Sequence, residues 1–221
     1  RLHRDVSLRF ADIKGELGQP DIIIIPGSKN TMHDLQSLYN TGMDKKIKKC
    51  HERGSTILGI CGGFQMLGRE IRDPMKVESD KESIPGLGML QTVTEFKPDK
   101  FTTVTEGTDN IFYAKIRGYE IHMGITFTSE KEKPFISIDS RNGRKEKAQD
   151  GAVNSDMSVF GTYIHGIMDS SEFTRSFLNM VRKRKGLELI NEVPEDYWNY
   201  KEKQYDKLAE IVRENIDMEK I

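Results

Sequence analysis

Ser55-Thr56-Ile57-Leu58-Gly59-Ile60-Cys61-Gly62-Gly63-Phe64-Gln65-Met66-Leu67-Gly68 runs from an apolar strand straight into a helix, and the joint is a cysteine between glycines. Gly-x-Cys-x-Gly at a strand-to-helix turn is the pattern of a nucleophile elbow. The turn forces unusual dihedrals on the nucleophile, and the missing side chains of its glycine neighbours allow close packing. Unpaired N–H groups at the start of the helix face the sulfur, so the reading predicts a lowered thiol pKa. It also predicts that the Gly62 N–H donates to a developing oxyanion. An arbitrary cysteine at a strand end is more often a small buried thiol. The glycines on both sides of Cys61 argue against that here, whereas Cys50 lacks such a context and reads as core.

The elbow's neighbours set the fold class. Val6-Ser7-Leu8-Arg9-Phe10 has the two-residue period of a half-buried strand. Ile22 to Ile25 is β-branched without polar alternation, as in a parallel-sheet strand covered on both faces. After Pro26-Gly27-Ser28, Asn30 or Thr31 can cap a helix with Met32, Leu35, Leu38 and Tyr39 on one face, ended by Gly42. A second amphipathic helix carries Ile47 and Cys50 and stops near Gly54. From about Pro85 to Ile138 short β runs are expected at Met89–Phe96, Gly118–Met123 and Phe135–Ile138. Arg141 to Gly151 reads as a mobile loop or hairpin tip. Ser158 to Tyr163 is another strand, leading into Ile164-His165-Gly166. Helices are expected over Ser171–Lys185 and from about Glu195 to Met218. Strand-helix alternation with a β-rich middle and a helical tail predicts a three-layer α/β fold with a mostly parallel sheet. Residues 1–169 form its core, and 170–221 are a C-terminal helical extension of the same domain.

Composition excludes several classes. The 221 residues are 36% hydrophobic and 31% charged, with a formal net charge of -1. A nucleic-acid partner would call for a basic excess. The run Arg182-Lys183-Arg184-Lys185 falls at an expected helix end, where it complements the dipole. Two cysteines fit a reducing cytosol. No apolar stretch approaches the length of a membrane span, so no membrane partner is expected. No metal ligand set is read either. The chain opens at Arg1 without Met, which reads as a piece of something longer.

A thiol nucleophile needs a base. His3 and His51 lie among charged residues. His33 opens a helix after the Gly27-Ser28 turn and is the runner-up, and His122 lies on an expected strand. His165 ends the strand that follows Ser158. The carboxyl ends of strands converge on the ligand crevice in open α/β sheets, so His165 is the preferred base. Backbone N–H groups of Gly27 or Ser28 at a neighbouring strand end can complete an oxyanion hole with Gly62. Gln65 is expected to hold the substrate.

Gly59 to Gln65 and the later His165 resemble the class I (triad-type) glutamine amidotransferases. Three further segments, Pro20 to Thr31, Gly118 to Gly124 and Gly161 to Gly166, together with Pro85 to Leu90, are similar to the glutaminase domain of cobyric acid synthases. The resemblance implies a flavodoxin-like α/β/α core, normally begun by a strand before Arg1. It implies a glutaminase that releases ammonia from glutamine for amidation of corrinoid carboxylates in cobalamin biosynthesis. ATP and Mg are implied only on an N-terminal synthetase domain, since no Gly-x-x-x-x-Gly-Lys-Ser/Thr loop occurs here. In the wider class a glutamate two residues after the histidine orients it, and here that position is Ile167. Glu120 and Asp169 are the candidate orienters. Alternative readings are the glutaminase of cobyrinic acid a,c-diamide synthase, another Cys-elbow hydrolase or chaperone, and a non-enzymatic docking module.

Overall fold

The computed structural model describes residues 3–216. In chain order the elements are β1 (Ile22–Ile25), α1 (Thr31–Thr41), α2 (Met43–Glu52), β2 (Thr56–Ile60), α3 (Gly62–Leu67), β3 (Glu70–Arg72) and β4 (Ser83–Pro85). There follow β5 (Thr92–Asp109), β6 (Lys115–Thr128), β7 (Ile136–Arg141), β8 (Arg144–Asp150), β9 (Ala152–Val153), β10 (Val159–Thr162) and β11 (Ile164–His165). A 3-10 turn, Ile167–Asp169, leads into α4 (Ser171–Arg184), and α5 (Tyr197–Asn215) ends the described chain.

Two sheets share the chain. The first has four strands in the order β1-β2-β10-β9, parallel apart from β9. Met32 and Leu35 of α1 and Met43 and Ile47 of α2 join Ile57 and Val159 in one apolar cluster. Leu58 and Phe160 alternate to the opposite face, where they meet Phe173 and Phe177 of α4. The period of two along β2 and β10 thus supplies both helix layers of a three-layer α/β/α core. Helix α4 is one of those layers: Phe173 and Phe177 are fully buried and lie against Phe135 and Phe160. A division at 169/170 therefore cuts the core.

The second sheet has seven strands and is dominated by the antiparallel pair β5 and β6. This pair is far longer than the short runs its Gly, Pro and Asp residues suggest. Pro98 cannot donate to a ladder, and pairing shifts register between Glu95 and Lys100 to accommodate it. Arg141 to Gly151 is ordered as well: Asn142 and Gly143 take positive φ (48° and 74°) in the tight turn that joins β7 to β8.

The caps behave as local chemistry dictates. The Asn30 side chain accepts from the His33 N–H at the start of α1, and Gly42 closes that helix at φ 72°. One strand expectation fails. Residues 6–10 are not a strand, and Leu8 and Phe10 face solvent at 73% and 91% exposure. Alternation alone does not make a strand without a neighbouring edge to complete its ladder. No helix among the described residues is long and apolar enough to cross a membrane.

Candidate active site

Cys61 adopts φ 53° and ψ −111° at the joint between β2 and α3, a conformation costly for a residue with a side chain. Its surroundings hold it there. A methyl on Gly63 would sit 2.0 Å from the Ile25 carbonyl oxygen, so only glycine lets α3 start this close to β1. The Cys61 N–H is tied to the Thr162 carbonyl at 2.8 Å.

The site is assembled where the two sheets meet. Strand β10 ends at Thr162 beside Ile60, and two residues later Ile164 and His165 pair antiparallel with Glu120 and Tyr119 of the second sheet. This switch turns His165 toward the elbow. Gly27 lies between the two side chains: a methyl there would sit 3.6 Å from Cys61 Cβ, 3.0 Å from His165 Cε1 and 3.9 Å from His165 Nε2. His165 stacks flat on Tyr119, with centroids 5.1 Å apart and planes 4° from parallel, and its Nε2 is buried without a hydrogen-bond partner among the described residues. A methyl on Gly62 would fall 2.9 Å from the Ser28 backbone N, so the two turns carrying the predicted oxyanion donors adjoin. His33 lies at the surface beside Asp34, 3.5 Å away, and makes no hydrogen bond within the site.

Residues 1–173 match the family of CobB/CobQ-like glutamine amidotransferase domains. The chain belongs to that family. Cobyric acid synthase of Clostridium novyi is 51% identical over all 221 residues, and that of Yersinia enterocolitica is 45% identical over 98% of the chain. The chain spans 44% of the length of each. Among solved structures, PurLQS from Thermotoga maritima superposes with a TM-score of 0.54 at 18% identity, covering 75% of this chain and 82% of that one. That likeness concerns the fold alone.

Within this amidotransferase domain the remaining candidates take places other than those expected. Gln65 is buried and bonded to the protein's own groups. Its Oε1 accepts from the Thr31 hydroxyl at 3.1 Å, and its Nε2 donates to the Met123 carbonyl (3.1 Å) and the Tyr163 hydroxyl (3.2 Å). It cross-links α1, β6 and the sheet switch behind Cys61. Glu120 does not orient His165 either. Its carboxylate accepts from Arg141 (2.6 and 3.1 Å), Thr105 (2.7 Å) and Thr103 (3.1 Å). Burial opposes its charge, but the Arg141 and Thr105 hydrogen bonds hold its pKa below the ordinary range. Its nearest histidine is His122, with Nε2 4.0 Å away. Asp169 lies against Gly166, half-buried, and burial together with Asp196 pushes its carboxyl up. Among the described residues no carboxylate is hydrogen-bonded to His165.

The thiol pKa also departs from expectation. Burial pushes Cys61 up, the Gly62 N–H draws it down, and the charges of Glu78 and Asp150 push it up further. Helix α3 is only six residues long, so its dipole is small. At rest the thiol donates to the Ile121 carbonyl at 3.4 Å. Burial lowers the pKa of His165. The resting pair is therefore a neutral thiol beside a neutral imidazole.

Asp150, buried near the elbow, accepts hydrogen bonds from the Thr162 hydroxyl and the Tyr163 N–H. Burial raises its pKa to about 7. Between the ordinary carboxylate range and 7 the folded state therefore holds a proton that the unfolded state has released, and stability falls as pH rises through that window. The lowered histidines act with the opposite sign in part of this range, so the Asp150 share is read as a difference: urea midpoints of the wild type relative to Asp150→Asn should fall as pH rises towards 7.

The residues missed in the sequence are Tyr119, Ile121 and Tyr163. Tyr119 and Ile121 belong to the Gly118–Gly124 segment, whose glycine-bounded β pattern marked a strand but not which groups it presents.

Proposed function

We propose that this domain hydrolyses glutamine by covalent catalysis at Cys61, with His165 moving the protons. The supporting observation is the placement of Gly27 against both a strained cysteine and an imidazole whose Nε2 has no hydrogen-bond partner among the described residues. Substrate binding displaces the thiol from the Ile121 carbonyl. The Cys61 proton passes to His165 Nε2, and the sulfur attacks the carboxamide carbon. Backbone N–H groups of Gly62 and Ser28 receive the oxyanion. Collapse breaks the C–N bond as His165 returns the proton to the leaving nitrogen, and ammonia departs. His165 then deprotonates water, which cleaves the γ-glutamyl thioester to glutamate and restores the thiol. Gln65 acts through Thr31, Met123 and Tyr163 as a positioning residue.

The ammonia is destined for an ATP-dependent synthetase in the rest of a longer enzyme, a cobyric acid synthase that amidates corrinoid side-chain carboxylates in the cytosol. The names and identities of the relatives favour this over cobyrinic acid a,c-diamide synthase. ATP and magnesium belong to that other portion. The turn after β1 here carries a single glycine closed against His165, which does not fit a phosphate cradle, and no step in this domain passes through ATP.

Diazo-oxo-norleucine, a glutamine-like electrophile, tests the assignment. It should add one adduct at Cys61, and glutamine should protect; label on Cys50, or none, would overturn it. The crowding at Gly27 gives a second test. Gly27→Ala should displace the His165 ring by a few tenths of an ångström and lower kcat by up to about 10²-fold. Thermal unfolding should move little, because Gly27 belongs to an exposed turn and the methyl meets only the end of one side chain.

A further inference from the structure

Thr162, the last residue of β10, is tied to both members of the reacting pair. Its carbonyl accepts the Cys61 N–H at 2.8 Å, at the residue where the nucleophile takes its strained φ. Its hydroxyl accepts the Ile164 N–H at 3.0 Å, one residue before His165. The same hydroxyl donates to Asp150 Oδ2. Asp150 also takes the Tyr163 N–H, which lies 3.1 Å from Oδ1 and 3.3 Å from Oδ2. One carboxylate thus gathers residues 162 and 163 at the point where the chain leaves the first sheet for the second.

Asp150 is itself held in place. It pairs with Ile136 at the end of β8, and its carbonyl accepts the Phe135 N–H at 3.1 Å. Gly151 follows, and a methyl there would lie 2.2 Å from the Gly161 carbonyl oxygen, so β10 is met at the closest approach a backbone allows. The simplest account of Asp150 is structural: a strand that changes sheets leaves N–H groups without ladder partners, and the acid satisfies one of them. A single carbonyl would serve that purpose, without the free energy that burying a carboxylate costs. What the carboxylate adds is a second oxygen, which takes the Thr162 hydroxyl while the first takes the Tyr163 N–H. The hydroxyl is then aimed, and its remaining lone pair holds the Ile164 N–H. No described carboxylate reaches the imidazole directly, so its placement depends on the backbone that carries it and on the Tyr119 ring beneath it.

We propose that Asp150 is a positioning residue for the glutaminase reaction, setting the His165 ring against the Cys61 sulfur through the Thr162 hydroxyl. The inference rests on the glutaminase reading above. Thr162 is the shared anchor: its carbonyl holds the nucleophile, its hydroxyl holds the strand of the base, and Asp150 fixes the hydroxyl.

Ammonia release from glutamine by the intact enzyme tests this, with kcat and KM read separately and thermal unfolding as the check on the fold. Thr162→Val keeps the branched shape and removes the hydroxyl. It should lower kcat by about 10- to 100-fold, the cost of misplacing a reacting group by up to about 1 Å, at nearly unchanged KM. Thr162→Ser restores the hydroxyl and should recover most of that rate. Asp150→Asn leaves one acceptor oxygen for two donors, and it should lower kcat by a smaller factor, again at nearly unchanged KM. A wild-type kcat in Thr162→Val would overturn the proposal. So would equal losses in Thr162→Val and Thr162→Ser, which would assign the effect to packing and not to the hydroxyl. Should Thr162→Val fail to fold, Asp150→Asn decides, and a wild-type kcat there would overturn the proposal. A wild type that released no ammonia from glutamine would instead defeat the glutaminase reading itself, and this inference with it.

Discussion

Cys61→Ala should abolish glutamine-dependent amidation by the intact enzyme while leaving amidation driven by free ammonium at the wild-type rate. The loss should be complete because no second thiol can substitute. Cys50 is buried on α2, bonded to the Gly18 carbonyl at 3.4 Å, and lies in the apolar cluster. Removing a covalent nucleophile takes away the intermediate itself, not a fraction of its stabilisation. The sparing of the ammonium reaction follows from packing. Cys61 is 7% exposed, and its sulfur is a small part of the core. Its replacement by a methyl changes little volume, and it removes a thiol with a raised pKa that gains little from its surroundings. Parallel assays with glutamine and with ammonium chloride check this. Residual glutamine use in the variant would disprove the nucleophile, and loss of both reactions would point to a structural role.

What was legible in the sequence was local. The elbow, the Asn30 and Gly42 caps and the basic last turn of α4 each follow from a few adjacent residues whose chemistry permits little else. The position of His165 was legible as a strand end. What the strand end did there was not, because the change of sheets at Tyr163 depends on a partner strand more than forty residues earlier in the chain. Distance along the chain hid Glu120 in the same way: the guanidinium that claims it comes from Arg141, at the far end of a separate strand. The thiol pKa was misjudged for a related reason. A helix start can be read from the sequence, but the burial that outweighs it is supplied by β6 and the sheet switch. Gln65 shows the same limit. It was read as a substrate-holding group from its place after the elbow, whereas its amide is bonded to Thr31, Met123 and Tyr163, partners distant in sequence.

The neutral resting pair leads to the second large effect. His165→Asn should lower glutamine hydrolysis by about 10²- to 10⁴-fold, the usual worth of a positioned acid-base group, with ammonium-driven amidation retained. The imidazole has three tasks in the proposed cycle: it takes the thiol proton, protonates the leaving nitrogen and activates water. Asparagine can donate a hydrogen bond, but it cannot move a proton at neutral pH. The wild-type pH profile should carry the same signature. Burial lowers the His165 pKa, so the base form persists below the ordinary imidazole range and the acid limb of kcat/KM should fall at a pH under 6.5. Stability has the corresponding sign. The folded imidazole resists a proton that the unfolded chain accepts, so stability is lost as pH falls below 6.5. His122, also lowered by burial, contributes in the same direction. His165→Asn should remove only its own share, making unfolding less sensitive to acid while hydrolysis collapses. A merely structural histidine would not separate these two readouts, and an unchanged acid limb in the variant would rule out His165 as the base.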